Sequence, residues 1–493
     1  MMKHFFRTSI LSCATVAVLT ACGITENTTE SATKVPASPA PQNIIMVVAD
    51  GMGPAFTTAY RNFMDDPNTP EVETVIFDEI LVGNASTYPA NVSGYVTDSA
   101  AAATALATGV KSYNGAIGVD VNKQPVNSVM HYAKRNGMRT GLAVTSQIVH
   151  ATPASYIAHN ESRKNYNDIA EDFFDERVNG EFVADVMLGG GTTYFEREDR
   201  DILAEFIDAG YEYADSYNRL ASVPAGSNVL GLFAPVALPA VLDDRRKNRL
   251  AYLTQNAIKH LENDRGFFLL VEASQVDWAG HSNDIGSAMA EMHDLALTME
   301  YLREYVKQNP QTLVVLTADH STGGLTIGAN GDYKWVPEHL KNMSASVMTI
   351  AIDMASADKP GEFVAQKLGL SMTEEELATF DSVSNQDDKS RFMAVKKFLD
   401  VKTNTGWTTS GHTGVDVEVF AFGTGAEQFA GQIDNTDIAK KIFALISGNV
   451  AGSKVDTKAI MSSSDKNNSN IELMSGDSKD DGTCDFKEDW RCN

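Results

Sequence analysis

Cysteine is scarce in this chain of 493 residues: there are four, with none between Cys22 and Cys484. A metal centre anywhere in that stretch must be built from carboxylates, imidazoles and hydroxyls, not thiolates. The C-terminal pair, Cys484 and Cys492, can close a small loop in an oxidising compartment. No histidine lies near enough in sequence to join the pair in a zinc site. Positive charge is also in short supply. Forty Lys and Arg stand against 65 Asp and Glu, a net charge of −25. That balance excludes the basic footprint of a nucleic-acid surface and suits a protein working outside the cytosol. No run of apolar residues is long enough to span a bilayer, no internal repeat is visible, and no G-x-S-x-G elbow occurs.

What is present begins at the N-terminus. "MMKHFFRTSILSCATVAVLTAC" has a basic start (Lys3, Arg7), a short apolar run and the ending Leu19-Thr20-Ala21-Cys22. This is the pattern of an export signal ending in a bacterial lipobox. We read residues 1–21 as a lipoprotein signal peptide and Cys22 as the lipidated first residue of the mature protein. Gly23 rather than Asp follows it, which points to the outer membrane, with the protein facing the periplasm or cell surface. Residues 22–41, rich in Thr, Ser, Ala and Pro, read as a flexible tether. Residues 451–493, polar and acidic, read as a flexible tail.

The folded domain is expected over 42–450. Near-continuous apolar runs at 43–50, 140–146, 184–190, 266–274, 312–320 and 417–425 read as strands. Amphipathic stretches such as 248–263 and 289–306 read as helices between them. Buried strands alternating with helices predict an α/β fold, a largely parallel central sheet with helices on both faces. The alternation weakens over about 325–410, which we read as an inserted subdomain.

The polar residues fall where such a sheet places a site. Asp50 closes the first strand, Glu272 sits in "FLLVEAS", and Asp319-His320 close "VVLTADH". In open α/β sheets ligands bind beyond the carboxyl ends of the strands. A terminal Asp also serves as an ordinary helix N-cap, and Asp50 taken singly fits that reading. Several buried acids on one rim would repel one another unless cations lay between them. "VDWAGHSND" adds Asp277 and His281, one turn apart if helical, and "SGHTGVD" adds His412. Ser99 opens the small-residue run "SAAAATALATG". It reads either as the N-cap of a tightly packed helix or as a nucleophile at a helix N-terminus, where free amides and a nearby metal favour an anionic oxygen.

Six motifs in order, "VADGMG", "TDSAAAATALATGVKSYNGAIGVD", "HATPASYIAHNESRKNY", "VEASQVDWAGHSND", "LTADHSTGG" and "SGHTGVDV", resemble those of the alkaline phosphatase family across about residues 42–450. The resemblance implies a phosphate monoester hydrolase of broad specificity using two Zn2+ and one Mg2+. It makes Ser99 the nucleophile and Arg163 the phosphate clamp, with Asp98 orienting that arginine. Asp277, His281 and His412 would hold the first zinc, and Asp50, Asp319 and His320 the second. Asp50, Thr152 and Glu272 would surround the third ion. His150 and Trp278 replace the Asp and Lys of the enterobacterial pattern beside that third site, leaving magnesium, zinc or cobalt open there. The insertion would correspond to the family's crown region, whose contacts bear on homodimer formation.

Overall fold

A computed structural model describes residues 40–448. The expected signal peptide, Cys22, almost all of the tether, Cys484, Cys492 and the tail lie outside the described residues. Ten strands form the central sheet: β1 (Asn43–Val48), β2 (Leu81–Ser86), β3 (Arg139–Gln147), β4 (Val186–Gly190), β5 (Glu212–Ala214), β6 (Val229–Leu232), β7 (Phe267–Glu272), β8 (Thr312–Thr317), β9 (Val417–Gly423) and β10 (Gly431–Asp434). Their order is β10-β2-β9-β8-β1-β7-β3-β4-β6-β5. Among the ten, β9 alone runs against the rest. The largely parallel α/β sheet expected from the apolar runs is the one observed.

The middle strands are apolar throughout because both faces are covered. Ile44–Val48, Phe267–Val271 and Leu313–Leu316 are fully buried. The Arg249–Leu261 helix packs on β3, β4 and β7 and also on the long Ile285–Gln308 helix. The Val129–Arg135 helix reaches the same β3 and β7, and the Ala151–Ile157 helix reaches β7, as part of a separate group of helices. Strands enclosed in this way lose their alternation and read as continuous hydrophobic runs. The outer strands β2, β5, β6 and β10 are short, and β2, β5 and β10 carry no such run, so the apolar pattern did not reveal them; β6 is apolar and buried but only four residues long. β2, for example, is mostly exposed or half-buried.

The Ser99–Thr108 helix explains its own composition. Every one of its residues is buried, and it packs against both the Ala151–Ile157 and Asn435–Ile446 helices. A helix covered on all sides needs no apolar stripe; small side chains let its neighbours approach. Its N-cap is Asp98, whose carboxylate accepts a hydrogen bond from the Ala101 amide at 2.9 Å. The reading of Ser99 as the cap is therefore corrected: Ser99 is the first helical residue, and the acid before it caps the turn.

Between Thr322 and His412 the chain leaves the sheet for the helices Val347–Asp353, Pro360–Leu368, Glu374–Val383 and Asp388–Thr403. Two short antiparallel ladders close this excursion. Thr326–Ile327 pairs with Thr405–Gly406, and Ser321–Thr322 with His412–Thr413. Among the described residues, no helix is long and apolar enough to cross a membrane.

Candidate active site

Four neighbouring parallel strands, β8, β1, β7 and β3, end at one rim. Their registers bring the ends level: Val48 lies beside both Thr317 and Glu272, and Val144 beside Glu272. The β1 and β8 ladders stop two residues before Asp50 and Asp319, earlier than their apolar runs suggested, because the acid-bearing ends turn out of the sheet. Gly51 makes that turn with φ +75°, and a Cβ there would sit 2.6 Å from Asp277 Cα. Its amide donates to Asp319 Oδ1 at 3.1 Å, as does the His320 amide at 3.0 Å.

Asp277 and His281 occupy the Gln275–His281 helix that follows β7, with Asp277 Oδ2 and His281 Nε2 3.3 Å apart. His412 arrives from about 90 residues downstream on the short ladder, paired with Thr322. The result is three groups of side chains whose donor atoms lie within 4.8 Å of one another: Asp277, His281 and His412; Asp50, Asp319 and His320; Asp50, His150 and Glu272. Thr152 is buried in the first turn of the Ala151–Ile157 helix, two residues beyond His150. The Trp278 ring meets the His150 ring edge-on with centroids 5.9 Å apart. The metal-ligand candidates of the sequence thus lie in these groups or, for Thr152, on an element adjoining one. The one change of standing is His150, expected beside the third group and found within it.

Hydrogen bonds orient two imidazoles. His281 Nδ1 donates to the Ser410 carbonyl at 2.5 Å, and His412 Nδ1 donates to the Thr97 carbonyl at 2.8 Å. The two Nε2 atoms are thereby turned toward each other, 3.0 Å apart, with Asp277 beside them. Two imidazole nitrogens and a carboxylate converging in this way suit a shared cation. The Asp50 carboxylate is fully buried, yet neither oxygen accepts a hydrogen bond, and Asp319 Oδ2 is in the same position. Burying a charge without partners costs several kcal/mol or more.

The titration behaviour follows. Burial, reinforced by the neighbouring carboxylates, pushes Asp50 and Asp319 well above the usual carboxylate range. Burial likewise pushes Glu272 up to about 7, against hydrogen bonds from Ser274 and Ser146. Burial would raise Asp277 too, but His281, His412 and His320 outweigh it and hold it below its ordinary value. His320 is driven well below the usual imidazole range by burial and by His412. Carboxylates and neutral imidazoles with no thiolate form a donor set that suits zinc and magnesium.

Ser99 lies at the edge of this cluster, its Oγ 3.1 Å from His320 Nε2. Asp98 does two things at once: one carboxylate oxygen caps the helix and the other accepts from Arg163 Nη1 at 3.1 Å. Arg163 Nη2 donates to His150 Nε2 at 3.2 Å. Burial would lower the Arg163 pKa, but Asp98 raises it further, so the guanidinium stays charged. Sequence reading missed Thr322, whose hydroxyl bridges Asp277 and His320. It also missed Ser146 and Ser274 beneath Glu272, since nothing distinguishes such a residue from an ordinary core serine.

The alkaline phosphatase family model matches residues 41–447. Alkaline phosphatase 3 of Bacillus subtilis is 44% identical over 416 residues, 83% of this chain and 90% of that protein. Alkaline phosphatase 4 of the same organism is 42% identical over 450 residues, 89% of this chain and 97% of that protein. The crystal structure of a cold-active alkaline phosphatase from a psychrophilic Shewanella sp. superposes with a TM-score of 0.78 at 51% identity, covering 82% of this chain and 99% of that one.

The raised carboxylates make a sign-definite expectation for metal-stripped protein. A carboxyl whose folded pKa exceeds its unfolded one stabilises the fold below the unfolded value, and that contribution is lost as pH rises through the folded value. For Glu272, the change from 4.5 to about 7 corresponds to about 3 kcal/mol. Asp50 and Asp319 act in the same direction. Chelated protein should therefore lose thermal stability between about pH 4.5 and 8, while metal-replete protein holds its Tm. Parallel Tm profiles for the two forms would contradict the electrostatic account.

Proposed function

The chain belongs to the alkaline phosphatase family, a premise from which we propose how its residues share the metal-dependent hydrolysis of phosphate monoesters. The metal groups divide as the donor atoms cluster. Asp277, His281 and His412 would hold one zinc, Asp50, Asp319 and His320 a second, and Asp50, Glu272 and Thr152 a magnesium with His150 alongside. The converging Nε2 atoms and the Asp50 carboxylate, which makes no hydrogen bond, fit such ions. When bound, they supply positive charge and Lewis acidity to alcohol and phosphate oxygens. Three dications against the four carboxylates Asp50, Glu272, Asp277 and Asp319 leave about two positive charges in an otherwise acidic protein, enough to draw in a phosphate dianion.

Ser99 is the nucleophile in this reading. Its Oγ forms a bond to phosphorus as the ester P–O bond breaks, the serine proton is lost, and the departing alkoxide is protonated to the free alcohol. Water then attacks the phosphoserine and releases inorganic phosphate, restoring the hydroxyl. Two in-line displacements give net retention at phosphorus. Arg163 grips two phosphate oxygens through its planar fork, a geometry lysine lacks. Asp98 holds that fork in place and ties it to the helix start that carries Ser99. The observation that carries the reading is this arrangement: Ser99 Oγ within 3.1 Å of His320, at the start of a helix whose cap also holds Arg163.

The test is Ser99→Ala. Turnover of p-nitrophenyl phosphate should fall roughly a thousandfold or more. Acid-quenched wild type should retain covalent phosphate that the variant lacks, with unchanged circular dichroism. Covalent phosphate persisting in folded Ser99→Ala would place the nucleophile elsewhere.

We further propose that residues 1–21 direct export and that lipidated Cys22 anchors the enzyme, so that phosphate is released outside the cytoplasm. Wild-type protein expressed in a bacterium should fractionate with membranes, and Cys22→Ser should move to the soluble fraction. A variant that stays with the membrane would refute the lipid anchor.

A further inference from the structure

A fourth group of donor atoms shares no residue with the three at the sheet rim. His131, His159 and Glu176 each offer one within 4.8 Å of the others. His131 lies on the Val129–Arg135 helix, His159 just beyond the Ala151–Ile157 helix, and Glu176 at the C-terminal cap of the Tyr166–Asp175 helix. The two imidazole rings have centroids 5.2 Å apart.

Hydrogen bonds hold one nitrogen of each ring. Ser128 Oγ donates its single proton to the Tyr156 carbonyl at 2.6 Å. His131 Nδ1 lies 2.8 Å from that oxygen and is met by the Ser128 backbone amide at 3.4 Å. His131 Nε2 is buried with no hydrogen-bond partner. His159 Nε2 donates to the Val126 carbonyl at 3.2 Å, leaving Nδ1 opposite Glu176 Oε1 at 3.0 Å. Each histidine thus has one nitrogen held by neighbouring protein groups, Ser128 for His131 and the Val126 carbonyl for His159, which fixes the ring as outer-shell partners fix metal-ligating imidazoles. Asp172 holds the His159 backbone amide at 3.1 Å and adds negative charge behind it. The Glu176 side chain is a third exposed, which gives an ion a way in.

We propose that His131, His159 and Glu176 bind a divalent transition-metal ion of the zinc type, separate from the catalytic ions. Two imidazoles and a carboxylate are a known zinc donor set, with a fourth position left for water. The three donors, within 4.8 Å of one another, would close on the ion to the ligand distance of about 2.0–2.2 Å. The ion takes the place of a proton between His159 Nδ1 and Glu176, so binding releases a proton and weakens toward acid pH. Its effect on the fold is local. His159 and Glu176 bracket the segment that carries Arg163, and His131 ties both ends of that segment to a helix packed on β3 and β7.

The test is metal content. Wild type, Glu176→Gln and His131→Asn are equilibrated with zinc, freed of unbound ion by gel filtration, and measured for zinc per chain by mass spectrometry. Wild type should hold one zinc more than either variant, while both variants keep p-nitrophenyl phosphate hydrolysis at saturating substrate, which shows that the catalytic ions are still in place. Should His131→Asn fail to fold, the partly exposed Glu176→Gln decides alone. Equal zinc content in wild type and every folded variant overturns the proposal.

Discussion

Carboxylates buried together at the ends of neighbouring strands repel one another, and the remainder of the active centre is arranged around that repulsion. Asp50 is fully buried with no hydrogen bond to either oxygen, His320 Nε2 standing 3.3 Å away, and it faces Asp319, Asp277 and Glu272. Without cations the cluster resolves its charge only by taking up protons, as the raised positions of Asp50, Asp319 and Glu272 express. The facing Nε2 atoms of His281 and His412 state the same need in another form. The fold holds this unfavourable arrangement because its large apolar sheet supplies the stabilisation that the polar rim lacks.

Each device that positions the rim answers a geometric demand. Parallel strands in register bring their carboxyl ends level, and Gly51 provides a turn that a side chain would obstruct. A ladder two residues long brings His412 back from a helical excursion of the chain. Asp98 links the helix bearing Ser99 to Arg163, so the proposed nucleophile and phosphate clamp share one support. The alanines after Ser99 let two helices close on it from either side.

Much of this was legible in the residues. The central strands announced themselves as apolar runs because both of their faces are covered, and acids at strand ends marked the rim. The edge strands were not legible, since their residues are neither continuously apolar nor cleanly alternating. Asp50 suited an N-cap as well as a ligand; in the structure Gly53 takes the cap position of the following helix, and Asp50 points into the cluster instead. His150 as a group member depended on where the Ala151–Ile157 helix begins, which the sequence pattern does not specify. The carbonyls of Thr97 and Ser410, which orient two imidazoles, carry no side-chain signature at all.

The most direct measurement is hydrolysis of p-nitrophenyl phosphate by protein lacking residues 1–22, from neutral to alkaline pH, before chelation, after it, and during stepwise return of zinc and magnesium. Activity that rises toward alkaline pH, vanishes with the chelator and recovers only as metal rebinds is the expected result. Activity surviving complete removal of metal would contradict the view that the buried carboxylates exist to hold catalytic cations.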